Sequence, residues 1–280
     1  MPAVLGTNVA SLWASKNLQS AQSNMANSVE RLSSGLRINR ARDDAAGLGI
    51  SNALTQQINS ADQGIRNLND GISIVQTAEG AISQASEMAQ RILTLAVQGQ
   101  SSALSQTQKD SITTEMRSLL DGINAIQTRT KFGGNTTALM GGSTISVYSS
   151  KESGDEIDIS AAALTSISIG GSASALSLAV TTTASLATEF QSIATAASSY
   201  ITTLDTQRGS LGAVQNQMEY SVNNILELSA NLSSARSRIV DTDYAAETAT
   251  LTKGQILQQA ATAMLAQANQ MPNVILSLLK

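Results

Sequence analysis

The chain has 280 residues, a formal net charge of −4, and neither cysteine nor histidine. Without thiols there is no disulfide framework, thiolate nucleophile or cysteine metal site. Without imidazole the usual general base, the Ser-His-Asp triad and most transition-metal ligation are gone. Aromatic residues make up 2% of the chain against 42% apolar, so Ala, Leu, Ile and Val must fill the core as in helical bundles, and no basic block marks a nucleic-acid footprint.

Proline occurs at positions 2 and 272 alone, which leaves the sequence between free to form long uninterrupted helices. Residues 1–32 carry an amphipathic row at Val9, Leu12, Leu18, Ala21, Met25, Val29 and Leu32. This segment has no cationic leader ahead of an apolar run, and Asn8 and Ser11 interrupt its apolar residues, so it does not read as a Sec signal. No run of 18 apolar residues occurs, and no membrane span is expected. A polar break follows from Leu32 to Gly47, containing Ser33, Ser34, Gly35, Arg37, Asp43 and Asp44. The two aspartates stand where carboxylates favour the dipole of the next helix.

From Leu54 the positions Leu54, Ile58, Ala61, Ile65, Leu68, Ile72 and Val75 alternate steps of four and three, a heptad seam. After a stammer to Ala78 the seam resumes through Ile82, Ala85, Ala89, Ile92 and Ala96. The spacing predicts a helix over 52–98, ~70 Å long at roughly 1.5 Å per residue. A second helix is expected from Gln106 to Thr130. Between Thr137 and Ser185, period-two alternation in Ser143–Tyr148, Asp155–Ile159 and Thr165–Ile169, punctuated by Gly141-Gly142, Gly154 and Gly170-Gly171, predicts short strands or hairpins.

A third long helix carries Leu211, Val214, Met218, Val222, Ile225, Leu228, Leu232, Ala235 and Ile239. A second polar break, Ala235 to Glu247, mirrors the first with Arg236, Arg238, Asp241 and Asp243. The terminal segment bears Leu251, Ile256, Leu257, Ala260, Met264, Leu265, Ala268, Leu276 and Leu279. The fold class expected is mainly α: an elongated helical bundle or coiled coil with its N- and C-terminal helices paired, plus a small tip containing a β-hairpin. The expected domains are 1–42 with 241–280 (terminal helices), 43–136 with 186–240 (rod) and 137–185 (tip). Two lone helices bury little, while ordering each residue costs about 1–2 kcal/mol of backbone entropy. Both ends are therefore expected to stay mobile in the monomer and to pair when other copies supply the missing surface.

The chain resembles bacterial flagellin. The resemblance rests on LSSGLRIN at Leu32 to Asn39, DDAAGL at Asp43 to Leu48, NDGIS at Asn69 to Ser73 and QTAEGA at Gln76 to Ala81. In the C-terminal half it rests on GAVQN at Gly212 to Asn216, ARSRI at Ala235 to Ile239, ILQQA at Ile256 to Ala260 and LAQANQ at Leu265 to Gln270. It covers roughly residues 4–135 and 190–279 and leaves the middle unmatched. It implies a homopolymer whose terminal helices line an inner tube, whose rod forms an outer tube, and whose middle projects outward. It also implies an extracellular filament for swimming, reached by the flagellar export channel without a Sec signal. Implied partners are the filament cap, the hook-filament junction proteins and an export chaperone on the C-terminal arm. The surface that a Toll-like receptor recognises in activating relatives includes positions matched by Arg91 and Leu95. Departures at Thr94 and Gly122 count against recognition.

Other readings are weaker. Asp43-Asp44 with Asp241 and Asp243 lacks the spacing of a calcium loop. A zinc protease in the middle region needs His-Glu-x-x-His, which a chain without histidine does not supply. No catalytic residue, cofactor or metal is expected. A junction protein sharing the terminal helices and an adhesive tip remain the alternatives.

Overall fold

The computed structural model describes residues 8–131, 144–149, 155–160 and 186–278. Within them the elements run α1 (Val9–Ser34), α2 (Ala45–Gly99), α3 (Gln106–Arg129), β1 (Thr144–Tyr148), β2 (Glu156–Ser160), α4 (Leu186–Val240) and α5 (Tyr244–Leu278). They belong to two compact units: Asn59–Ser229, and Met1–Ile58 with Ala230–Lys280. The expected domain limit at 240/241 falls at the end of α4 and that at 42/43 within the connector ahead of α2, whereas packing divides the chain within α2 and α4.

In the central unit the heptad seam of α2 faces inward. Leu68, Val75, Ala85, Ala89, Ile92 and Ala96 are fully buried, and Ala78 and Ile82 are 1% exposed, so both sides of the stammer are packed. The α3 helix opens on a capping box, in which the Ser105 hydroxyl accepts from the Gln108 N–H and the Gln108 carboxamide oxygen accepts from the Ser105 N–H. It contributes Ile112, Met116, Leu120 and Ile123 to the core. From α4 come Phe190, Ile193, Ala197, Tyr200, Leu204, Leu211 and Met218. Of the row predicted on α4, Leu228 is an exception: it is 50% exposed.

Phe190 is the largest fully buried side chain, and its ring occupies the space a side chain at Gly99 would need. With so few aromatics, one glycine opposite one ring sets how closely the helices meet. The hairpin follows the same logic. β1 and β2 pair antiparallel with Ile145 opposite Ile159 and Val147 opposite Ile157. Val147, Ile157 and Ile159 are buried in the helical core, while Ser146 and Asp158 bond each other at 2.6 Å on the exposed face. The hairpin end lies on α2 at Gly64, where a methyl would collide with the Ser149 carbonyl, and Asn67 donates to the Tyr148 carbonyl at 3.0 Å. The strand expected at Thr165–Ile169 and the glycine pairs at 141–142 and 170–171 lie outside the described residues.

Leu68→Ala or Ile92→Ala is expected to cost about 2–5 kcal/mol of unfolding free energy in urea titration, as for other fully buried aliphatic truncations. Gly64→Ala should instead remove amide-exchange protection from 144–149 and 156–160 while the α2 seam stays protected.

Candidate functional site

In the terminal unit α1 and α5 pack along one another through two matched heptad seams. On α1 the positions turned inward are Ala14, Leu18, Ala21, Met25, Ser28 and Leu32; on α5 they are Leu251, Gly254, Gln258, Ala261, Leu265 and Ala268. On each helix small residues alternate with larger ones. The small ones are the most buried: Ala14, Ala21, Ser28, Gly254 and Ala268 are buried, the rest half-buried. Small side chains let the two backbones approach, and the large neighbours fill the spaces beside them. A methyl on Gly254 would lie in ordinary contact, 3.6 Å from the Met25 Cβ.

The pair is fastened at both ends. Asn8 caps α1 by accepting from the Ser11 N–H at 3.1 Å and donates its amide to the Ala268 carbonyl at 2.7 Å. Ser11 and Asn269 bond at 3.0 Å beside it. At the other end Arg31 and Glu247 pair at 3.6 Å.

The two polar breaks lie against each other there. Leu36 and Asp241 form an antiparallel bridge, with the Arg37 N–H donating to the Val240 carbonyl at 2.6 Å and the Thr242 N–H to the Gly35 carbonyl at 2.9 Å. Gly35 ends α1 at φ 71°, a left-handed conformation that suits glycine, and its N–H donates to the Arg31 carbonyl. The Arg37 guanidinium donates twice to the Ile239 carbonyl, at 2.6 and 3.2 Å. The Ser34 hydroxyl accepts from the Leu36 N–H and the Asn39 amide. Asp44 starts α2 by accepting from the Gly47 N–H at 2.8 Å, and Asp243 starts α5 by accepting from the Ala245 and Ala246 N–H groups. Ile38 and Val240, each 4% exposed, are the apolar residues buried at this crossing.

Asp43 holds the connector loop itself, accepting from the Arg40 and Asn39 N–H groups at 3.0 and 3.2 Å. Desolvation pushes its carboxyl upward, but those two donors and the Arg42 and Arg31 charges outweigh it, leaving the group below its ordinary value. Of the expected connector residues, Ser34, Gly35, Arg37, Asp43, Asp44, Asp241 and Asp243 take part in the crossing. Ser33 is exposed, and so are Arg236 and Arg238, the latter bonding Ser234 on its own helix.

The expected arm row divides in two. Leu18, Met25, Leu32, Leu251 and Leu265 belong to the α1–α5 seam, whereas Val9, Leu12, Val29, Ile256, Leu257 and Met264 are exposed, Leu12 by 63% and Met264 by 66%. Trp13, absent from the predicted row, is 60% exposed, with the Lys16 ammonium 5.3 Å from its ring centre. Val9, Trp13, Leu257 and Met264 line a groove of about 700 Å³ whose floor includes Ala14, Ala21, Ala261 and Ala268. Leu276 is described as α5 backbone alone, and Leu279 lies outside the described residues.

Large apolar side chains exposed at the rims of a groove are the mark of a surface that another molecule covers. The bacterial flagellin N-terminal helical region matches residues 5–143, and the bacterial flagellin C-terminal helical region matches residues 194–279. The chain belongs to the bacterial flagellin family. It is similar to the flagellin of Bacillus subtilis, 38% identical with 98% of each chain covered. It is likewise similar to that of Halalkalibacterium halodurans, 37% identical with 99% of this chain and 100% of the relative covered. A crystal structure of Bacillus cereus flagellin aligns with a TM-score of 0.48 and 22% identity, covering 61% of this chain and 94% of that one.

This flagellin is thus a structural subunit that polymerises into the extracellular bacterial flagellar filament used for motility, and it is not an enzyme. No helix among the described residues is long and apolar enough to cross a membrane. The receptor-surface expectation is corrected at one position. Leu95 is 1% exposed and packs in the central core, so it offers no surface, while Arg91 is exposed and donates to the Glu115 carboxylate of α3 at 2.7 and 2.9 Å.

Because the Asp43 pKa is lowered by folding, its contribution is present above the unfolded carboxyl value and is lost as pH falls through the folded one. Amide protection at Asn39 and Arg40 is expected to fall below about pH 4. Asp43→Asn should flatten that acid response, measured by hydrogen exchange across the pH series.

Proposed function

We propose that the filament grows by burying the exposed apolar faces of α1 and α5 against the same helices of other copies, the terminal arms gaining most of their order on docking. The supporting observation is the division of side chains in the terminal unit. The seam between α1 and α5 alternates Ala, Ser and Gly with larger residues, whereas Val9, Leu12, Trp13, Val29, Ile256, Leu257 and Met264 stand exposed. An isolated pair whose seam is small at every second position gains little against an ordering cost of about 1–2 kcal/mol per residue. Full burial of each large exposed side chain adds roughly 1.5–3 kcal/mol. Intramolecular pairing is therefore weak and intermolecular burial strong, which favours polymer over free arms. In this reading residues 1–42 with 241–280 form the inner tube, 43–136 with 186–240 the outer tube, and 137–185 the projecting tip. Leu276 and Leu279 are counted with the polymerisation arms from the sequence alone.

The same exposed surface calls for a cover before assembly and accounts for the partners proposed here: an export chaperone on the C-terminal arm, then the hook-filament junction proteins and the filament cap at the growing end. Export through the flagellar channel without a Sec signal fits a chain whose arms pass unfolded. Recognition by the Toll-like receptor is not part of this proposal, because Leu95 is buried and Thr94 and Gly122 depart from the expected pattern.

Trp13 is the sole tryptophan, so its fluorescence reports on the groove directly. Seeded assembly should shift its emission to the blue, and Leu257→Asp should abolish both the shift and the filaments seen by electron microscopy while the circular dichroism of the central helices persists. Filaments of normal yield from Leu257→Asp would refute the proposal.

A further inference from the structure

We infer that Met264 is an oxidation site that controls whether a subunit can enter the filament. The chain has eight methionines and no cysteine, so thioethers are its sulfur chemistry. Of those whose surroundings are described, Met116 and Met218 are fully buried, Met25 and Met88 are half-buried, and Met264 is 66% exposed on the rim of the α1–α5 groove. It shares the groove with Trp13 and Ala14 of α1 and with Leu257 and Ala261 of its own helix, and the polar side chains lining that groove are Asn17, Ser20, Asn24 and Gln267. A peroxide reaches it without any opening of the fold. The sulfur lone pair attacks one peroxide oxygen, the O–O bond breaks, an S–O bond forms, and the second oxygen leaves as water. The thioether is oxidised by two electrons to the sulfoxide and the peroxide is reduced.

The product is a strong acceptor of altered shape in a place that assembly makes apolar. Burying it unpaired is disfavoured. The inference rests on the reading of the groove as an assembly surface. It adds that the surface is redox-sensitive before assembly and shielded after it, and that reductases restore it, one for each sulfoxide epimer.

The test treats the purified monomer with hydrogen peroxide in steps, offers it to filament seeds, and maps sulfoxides by peptide mass in pelleted filaments and in the supernatant. Sulfoxide should appear at Met264 before Met116 and Met218. Chains carrying it should be depleted in the filaments by about tenfold, the ratio expected when one buried apolar contact becomes an unpaired polar one. Preformed filaments should oxidise at Met264 several-fold more slowly than monomer. Equal Met264 sulfoxide in filaments and supernatant overturns the inference. Met264→Leu gives an independent reading: the ratio of its treated to untreated elongation rates should stay near one, and a fall as large as that of the unsubstituted chain would assign the damage to another methionine and overturn it. Leu257→Asp separates the two readings. If that variant assembles, the groove is not the assembly surface; if it is blocked while Met264 sulfoxide enters filaments freely, the redox inference alone fails.

Discussion

The antiparallel contact between residues 35–37 and 239–242 is the constraint on which the terminal unit depends. It brings together two points of the chain some two hundred residues apart, Leu36 and Asp241, and closing so long a loop carries an entropic cost that no local helix propensity offsets. Two backbone donors, at Arg37 and Thr242, and the doubly bonded Arg37 guanidinium meet this cost within a few residues. The fixed helix ends follow from it. Gly35 supplies the left-handed turn out of α1, and Asp44 and Asp243 supply the first acceptors of α2 and α5. With those ends set, the heptads of α1 and α5 come into register, and Asn8 closes the far end of the same pair.

The register in turn decides what remains uncovered. A seam with Ala14, Ala21, Ser28, Gly254 and Ala268 at its centre brings the helices close, but closeness between small residues excludes little apolar area from water. Leu18, Met25, Leu32, Leu251 and Leu265 fill the spaces between them, while Val9, Leu12, Trp13, Val29, Ile256, Leu257 and Met264 stay exposed on the flanks. A globular protein ordinarily places such large apolar residues inside; the terminal unit of this flagellin leaves these seven in water. The central unit keeps the ordinary arrangement, with Leu68, Ile82, Ile92, Phe190, Leu204 and Met218 inside. One chain thus carries a unit with a closed core and a unit that leaves large apolar side chains exposed.

The chemistry that is missing has the same logic. A filament outside the cell meets oxidants and wide swings of pH, and a chain with neither Cys nor His offers neither a thiol to cross-link nor an imidazole to titrate near neutrality. Methionine is the remaining soft group. Its two fully buried copies in the central core, Met116 and Met218, are protected by packing, whereas Met264 stands 66% exposed.

Much of this was legible in the residues. The period-3.5 seams of α2 and α4, the paired polar breaks, the period-two strands at 144–148 and 156–160, and the exclusion of enzyme chemistry follow from spacing and composition, because burial of a helix face or a pleated face imposes its own period on the sequence. The family motifs carried the function. What spacing leaves undecided is which of two neighbouring apolar rows turns inward. Val9 and Leu18, or Met264 and Leu265, stand in one predicted row yet end on opposite sides of a seam, since that choice depends on the partner helix and its approach distance. Trp13, Ser28 and Gly254 gave no apolar-periodic signal as seam or rim residues, and Leu95, expected at the surface from the family resemblance, is buried. A helix face has a period, but the tertiary partner alone fixes its phase; the sequence determined that this flagellin has two apolar arms, and the packing of α1 on α5 decided which side chains they bury and which they leave exposed.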